Sequence, residues 1–260
     1  MTDLNNRRAG LLFGSFSAEA LSLGVHWIYD PQELVREHGR VTHYKAPGDW
    51  LGMWPTYDDY VDKATKATLA NLQNGVGTTD AGSESDEIAG PARIAPLVAF
   101  LAESTEDEIV RAAVEQTRLT HRSPEAEQAA TFLAKASYRI LHGASLGDTI
   151  RETAPDWALK AAAKVLPLRA VEAIGKLGRT CPIPAALPSV IYLALKHGET
   201  TETAFIENAM AGGDNCARAL ALGMLLGAAN GIDSIPENLR NDLRAAADLY
   251  ALIESNSLLV

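Results

Sequence analysis

The 260-residue chain is poor in aromatic side chains (6%), in cysteine (two) and in basic residues, with 23 Lys and Arg against 33 Asp and Glu. Each shortage excludes something. Cys181 and Cys216 lie too far apart for a CxxC pair, so they give neither a disulfide framework nor a zinc site, and they suit a reducing compartment. A formal charge of -10 with no run of Lys and Arg disfavours nucleic acid and anionic membrane as partners. The opening MTDLNNRRAGLLFGSF holds too short an apolar stretch for a secretory signal, and the longest apolar window, near 220–229, is too short to span a bilayer. The expected location is therefore the cytoplasm. No period-two alternation is visible, which leaves nothing to build a sheet from.

What is plentiful is helix former. The chain has 43 Ala and 32 Leu, residues that lose little freedom on entering a helix, and 47% of it is apolar. The expectation is an all-α fold in a single domain over 1–260, since no linker, repeat or low-complexity tract divides the chain. Thr105 with Glu108 has the spacing of a capping box ahead of IVRAAVEQTRLTH. Ser123-Pro124 supplies an N-cap and an N1 proline to a helix whose apolar face is Ala129, Leu133, Ala136 and Ile140. These two helices are expected to be antiparallel neighbours. Periodicity predicts further helices near 9–22, 31–38, 58–73, 89–103, 157–177, 185–197, 201–211, 215–229 and 236–255. Two stretches break the texture: 39–56, with His43, Tyr44, Trp50 and Trp54, and 74–87, rich in Gly, Ser, Thr and acids. Irregular stretches of that length in a helical domain are more often functional than accidental.

The sharpest local feature is Gly212-Gly213-Asp214-Asn215-Cys216-Ala217-Arg218. Two glycines allow close backbone approach to a ligand. Asp214 stands where a helix N-cap belongs, and the free N–H groups of the first turn could receive an anion. A capped, buried helix is the plainer alternative. Cys216, at a helix start, is placed where a thiol pKa falls.

In one order along the chain stand Gly10-x-x-x-Gly14-x-x-x-Ala18-Glu19-Ala20-Leu21, GVHWIYD, Arg93-x-x-Pro96, Thr120-His121, AALPSVIYLAL and AGGDNCARALALGMLLGAANG. Taken together they resemble the ADP-ribosylglycohydrolase family over nearly the whole chain. The resemblance implies an all-α domain that hydrolyses the N- or O-glycosidic bond of an ADP-ribosyl or related ribosyl group, small-molecule or protein-linked. It also implies two Mg²⁺ ions, held by an early Thr/Ser-Asp-Asp motif and a late Asp-x-Asp-Thr motif, that orient the ribose and activate water. On this reading Asp214 and Glu19 are catalytic, and Asp214, Asp58 and Asp59 are metal ligands. Gly212, Gly213, Asn215, Ser83, Ser85, Asp86, Arg93 and His121 bind substrate.

The chain departs from the pattern where the metal chemistry lies. Cys216 stands in place of the second late carboxylate, and a thiol is a poor Mg²⁺ ligand; Ala217 stands in place of the Thr. The early Gly-Asp-Ala-Leu-Gly reads Ala18-Glu19-Ala20-Leu21-Ser22. The early Asp pair aligns in two ways: as Thr56-Tyr57-Asp58-Asp59 with an inserted Tyr, or as a deletion between Gly39 and Tyr57. The loop Gly82-Ser83-Glu84-Ser85-Asp86-Glu87 reads equally as a phosphate cradle or a solvated turn. Two functions stay open at this point: a metal-assisted ribosyl hydrolase, and a member that has kept the fold and nucleotide-like binding but lost the metal chemistry, serving as a binding or structural protein.

Overall fold

A computed structural model describes residues 4–46 and 61–257. The described residues are helical or irregular, with no strand among them; only the isolated bridges Ser83–His121 and Glu87–Pro182 show extended pairing. The helices are α1 (Leu4–Leu23), α2 (Pro31–His38), α3 (Lys63–Gln73), α4 (Ala89–Ala92), α5 (Ala95–Phe100), α6 (Glu106–Arg118), α7 (Pro124–Leu141), α8 (Leu146–Thr153), α9 (Asp156–Val165), α10 (Ala170–Leu177), α11 (Ile183–His197), α12 (Thr201–Met210), α13 (Asn215–Asn230), α14 (Glu237–Asn241) and α15 (Ala246–Ser257). Among the described residues no helix is long and apolar enough to cross a membrane.

Local signals place several boundaries. The Thr105 and Glu108 capping box opens α6, and the Ser123 hydroxyl accepts the Ala126 N–H at the start of α7. Ion pairs at both ends lock the two helices antiparallel: Arg118 grips Glu127 with two bonds of 2.7 Å, and Arg139 grips Glu106 at 2.7 Å. Elsewhere the periodic stretches divide. The span 157–177 is two helices, α9 and α10, parted around Pro167, which has no N–H to continue the ladder. Likewise 89–103 divides into α4 and α5, and 236–255 into α14 and α15. The periodicity missed α8, whose Ser145 cap accepts from the Asp148 N–H. The described part of 58–73 is helical only from Lys63, after Asp62 caps α3 through Thr65 N–H at 2.8 Å.

At the centre α1 and α13 run antiparallel with their backbones touching. A Cβ on Gly227 would strike the carbonyl oxygen of Gly10, and one on Gly223 that of Gly14. Both helices are buried on nearly every side, which explains their weak amphipathicity: α1 buries Leu11, Leu12, Phe13, Ala18 and Leu21, and α13 buries Ala219, Leu222, Met224, Leu225 and Leu226. The glycine register decides what lies at the open end of the seam. With Gly14 against Gly223, the last turns of α1, carrying Glu19 and Ser22, come alongside the first turn of α13. The Cys216 thiol accordingly lies 4.0 Å from the Glu19 carbonyl.

The seam has no room for a methyl group. We predict that Gly227→Ala lowers the unfolding free energy by about 3 kcal/mol, at the upper end of overpacking costs. Gly77→Ala, where nothing lies within 4 Å, stays within about 0.5 kcal/mol of the parent. Equilibrium urea unfolding of the two variants measures both.

Candidate functional site

A cleft of about 590 Å³ opens at that end of the seam. Its walls include Glu19 from α1, His26, Trp27 and Tyr29 from the turn after α1, Asp62 and Lys63 at the start of α3, Glu87 and Arg93 beside α4, and Asp214 and Cys216 at the start of α13.

The turn before α13 is built by backbone pairing. Gly212 and Gly213 have φ of 70° and 73°, the left-handed region that glycine enters without cost. The Gly213 N–H donates to Ile28 O at 2.8 Å and the Trp27 N–H donates to Gly213 O at 3.0 Å, stitching the turn after α1 to the turn before α13. On the other flank, Asp214 N–H donates to Arg179 O and the Arg179 guanidinium to Ala211 O, both at 2.8 Å. Trp27 is itself left-handed, at φ 66°, the one non-glycine residue so placed among those described. A bulky side chain there costs on the order of 1–3 kcal/mol. Here the stitching to Gly213 holds it, and the result is an indole N–H aimed at Asp214 Oδ1 from 2.7 Å.

Asp214 occupies the N-cap position of α13 yet makes no side-chain capping bond. Its carboxylate turns to the cleft, where Tyr29 OH donates to Oδ2 at 3.4 Å and His26 Nε2 lies 3.5 Å from Oδ1. His26 Nδ1 and Asn215 Oδ1 are paired at 2.9 Å. Burial lowers the His26 pKa, against the pull of Asn215 and Asp214. Burial and the Asp214 carboxylate push the Tyr29 phenol up to about 12. Burial likewise raises the Glu19 carboxyl above the usual carboxylate range. The expectation of a lowered Cys216 pKa is corrected: burial first, then Glu19 and Asp214, push that thiol well up, and Cys181 is raised to about 12 for the same leading reason. Desolvation outweighs the helix start, and both thiols stay protonated and poorly nucleophilic.

The sequence-predicted residues fall into three groups. Glu19, Arg93 and Asp214 meet in the cleft. Gly212, Gly213 and Asn215 stand behind Asp214, with Asn215 fully buried. Ser83, Ser85, Asp86 and His121 do not line the cleft: the Ser83 hydroxyl donates to Thr120 O at 2.7 Å, Ser85 Oγ to Glu87 at 3.3 Å, and the Asp86 carbonyl accepts from Ile183. His121 is fully buried, with Nδ1 paired to Thr120 Oγ1 at 2.9 Å and Nε2 without a hydrogen-bond partner. Asp58, Asp59, Trp50 and Trp54 lie outside the described residues. Glu87, an acid of the 82–87 loop singled out in the sequence, does reach the cleft, and among those the cleft adds are Asp62 and Cys181, for which no local pattern gave a signal. His26, Trp27 and Tyr29 entered the sequence reading only within the GVHWIYD segment, without a role.

Two Mg²⁺ ions need a near-octahedral set of hard oxygens. The carboxylates lining the cleft are Asp214, engaged by Trp27, Asp62, paired with Arg93, Glu87, paired with Ser85, and Glu19; at the start of α13 Cys216 is a protonated thiol and Ala217 carries no donor. Among the described residues no three His, Cys, Asp or Glu side chains are grouped to hold a metal ion. Among the described residues the start of α13 does not supply the late half of a binuclear centre; Asp58 and Asp59, the candidates for its early half, lie outside those residues.

Comparison with known proteins agrees with the architecture. The family model described as ADP-ribosylglycohydrolase matches residues 50–260. A solved structure titled as an ADP-ribosylglycohydrolase-related protein complex aligns over 98% of this chain and 98% of that one, with a TM-score of 0.64 at 20% identity, which is a likeness of fold. No curated protein matches the chain significantly.

Burial and the neighbouring Arg93 lower the His121 pKa to about 4, with Asp62 opposing. The folded state therefore keeps the ring neutral while the unfolded chain protonates it below about 6.5. Stability is full above pH 6.5 and falls from there down to about 4. We expect the urea midpoint to drop across that window, and to drop less steeply in His121→Asn, the remaining slope including the lowered His26.

Proposed function

The chain belongs to the ADP-ribosylglycohydrolase family, and from that premise we propose that its residues 1–260 act as one domain that hydrolyses the glycosidic bond of an ADP-ribosyl or related ribosyl group. One observation carries this reading: two carboxyl groups in unlike environments, Glu19 and Asp214, open into the same cleft. Such a pair divides the labour of glycoside hydrolysis.

In this mechanism Glu19, whose pKa its desolvated surroundings raise, acts as the general acid, giving a proton to the leaving nitrogen or oxygen as the bond to the ribose C1′ breaks. Asp214 accepts a proton from the attacking water, which adds to C1′. The Trp27 indole N–H fixes Oδ1, leaving the water to approach from the Tyr29 side, where the hydrogen bond is long at 3.4 Å. His26 and Arg93 supply positive or donor groups along the walls for the ribose and phosphate oxygens. No step runs through a metal ion.

A second reading has its own observation. Cys216 and Ala217 replace oxygen donors, which fits a member that binds an ADP-ribose-like ligand in the cleft without turning it over.

Release of ADP-ribose from arginine- and serine-linked substrates, measured with and without EDTA, separates the two readings. Under the hydrolase reading Asp214→Asn and Glu19→Gln each lower kcat/KM by about 10²–10⁴-fold with the helical signal intact. Glu19→Gln also removes the alkaline limb of the pH profile, because deprotonating a general acid costs activity as pH rises through its pKa. Calorimetric binding of ADP-ribose without turnover by the wild type selects the second reading, and unchanged turnover in Asp214→Asn eliminates the first.

A further inference from the structure

Within the apolar run of α13 one charge is enclosed. Arg218 is fully buried. Its Nε–H donates to Asn208 Oδ1 at 2.6 Å, and Nη2 donates to Asn208 O at 3.2 Å and Gly212 O at 3.1 Å. Nη1 is buried with no hydrogen-bond partner. Every hydrogen-bond acceptor of this guanidinium is neutral, although enclosed charges are ordinarily paired with a charge of opposite sign.

The groups that act on Arg218 through space are Asp214, the thiols of Cys216 and Cys181, and Arg179. Both thiols are held protonated and Arg179 carries the same sign, so Asp214 is the one anion of the set. Burial draws the guanidinium down to about 10, and Asp214 opposes that fall. The turn links the two groups: the Gly212 carbonyl takes the Nη2 hydrogen bond, and Asp214 follows two residues later in a turn stitched on both flanks.

We propose that Arg218 is the internal counter-ion of Asp214, supplying from inside the fold the positive charge that divalent ions would supply from the cleft side. The inference deepens the reading of Asp214 as the water-activating carboxylate. Arg218 is a positioning residue on this account: it touches no substrate and acts by stabilising the charge on Asp214 and by anchoring the Gly212 carbonyl. The helix in which Cys216 stands in place of a carboxylate thus carries its own cation two residues later.

The test is a set of urea unfolding curves at pH 7 for Asp214→Asn in three backgrounds: wild type, Arg218→Met and Arg218→Lys. The substitution keeps an oxygen to accept from Trp27, removes the charge and gives up the long Tyr29 hydrogen bond, a loss common to all three backgrounds, so the difference between backgrounds reports the charge. In wild type it is expected to lower the midpoint by about 0.5 M or more at the m-value of a chain this size. It does the same in Arg218→Lys, which keeps a cation, and loses at least half of that effect in Arg218→Met. Equal losses in all three backgrounds mean that Arg218 serves only to satisfy carbonyls, and overturn the proposal. Should Arg218→Met not fold, the wild-type background decides: an unchanged or raised midpoint in Asp214→Asn overturns it. Calorimetric titration with magnesium chloride alone gives no saturable heat on this account, and saturable binding abolished by Asp214→Asn would count as refutation. None of these measurements needs turnover, so a protein that hydrolyses nothing still passes or fails them.

Discussion

The contact on which the rest depends is between two stretches of bare backbone. Gly10 and Gly14 of α1 meet Gly227 and Gly223 of α13 with no side chain between them, and that closeness sets the antiparallel register to within a residue. Register, in turn, sets chemistry. Glu19 comes beside the start of α13 because α1 continues past Gly14 while α13 runs back from Gly223, and the turns that leave both helices are thereby brought near enough to exchange hydrogen bonds. Trp27 and Gly213 complete the junction, and Asp214 is aimed by what they impose.

The cleft differs from a metal centre in where its positive partners come from. An ion would draw several carboxylates together and tolerate their repulsion. Here Asp214 is surrounded by an indole, a phenol, an imidazole and, on the proposed reading, an enclosed guanidinium; Asp62 is paired with Arg93, and Glu19 is kept in a drier place on the neighbouring helix. The replacement of oxygen ligands by Cys216 and Ala217 makes physical sense in that setting: small, neutral groups fill the space between Glu19 and Asp214 without adding charge.

Much of the architecture was legible in the residues because it is governed by local rules. The Thr105–Glu108 box, the Ser123-Pro124 start and the Ala-Leu background act over one or two turns, and the structure follows them. Boundaries failed where a single residue overrode periodicity, as Pro167 does between α9 and α10. The site was legible in part. Glu19, Arg93 and Asp214 could be singled out by motif, but the donors that define the state of Asp214 lie 187 and 185 positions away in sequence. Nor does anything local show that Trp27 has a left-handed backbone or that Arg218 is enclosed, since both follow from what packs against them.

The glycine seam also sets the order of events during synthesis. Its two halves stand at opposite ends of the chain, so α1 emerges from the ribosome long before α13 exists to cover it. At elongation rates of about 5–20 residues per second the wait is roughly 10–40 s. Throughout it a helix apolar on nearly every side has no native mate, and the cleft, which needs both helices, has no partial form. The pairing on which the cleft depends is therefore among the last to close, and the apolar side chains of α1 need shielding until α13 has been made.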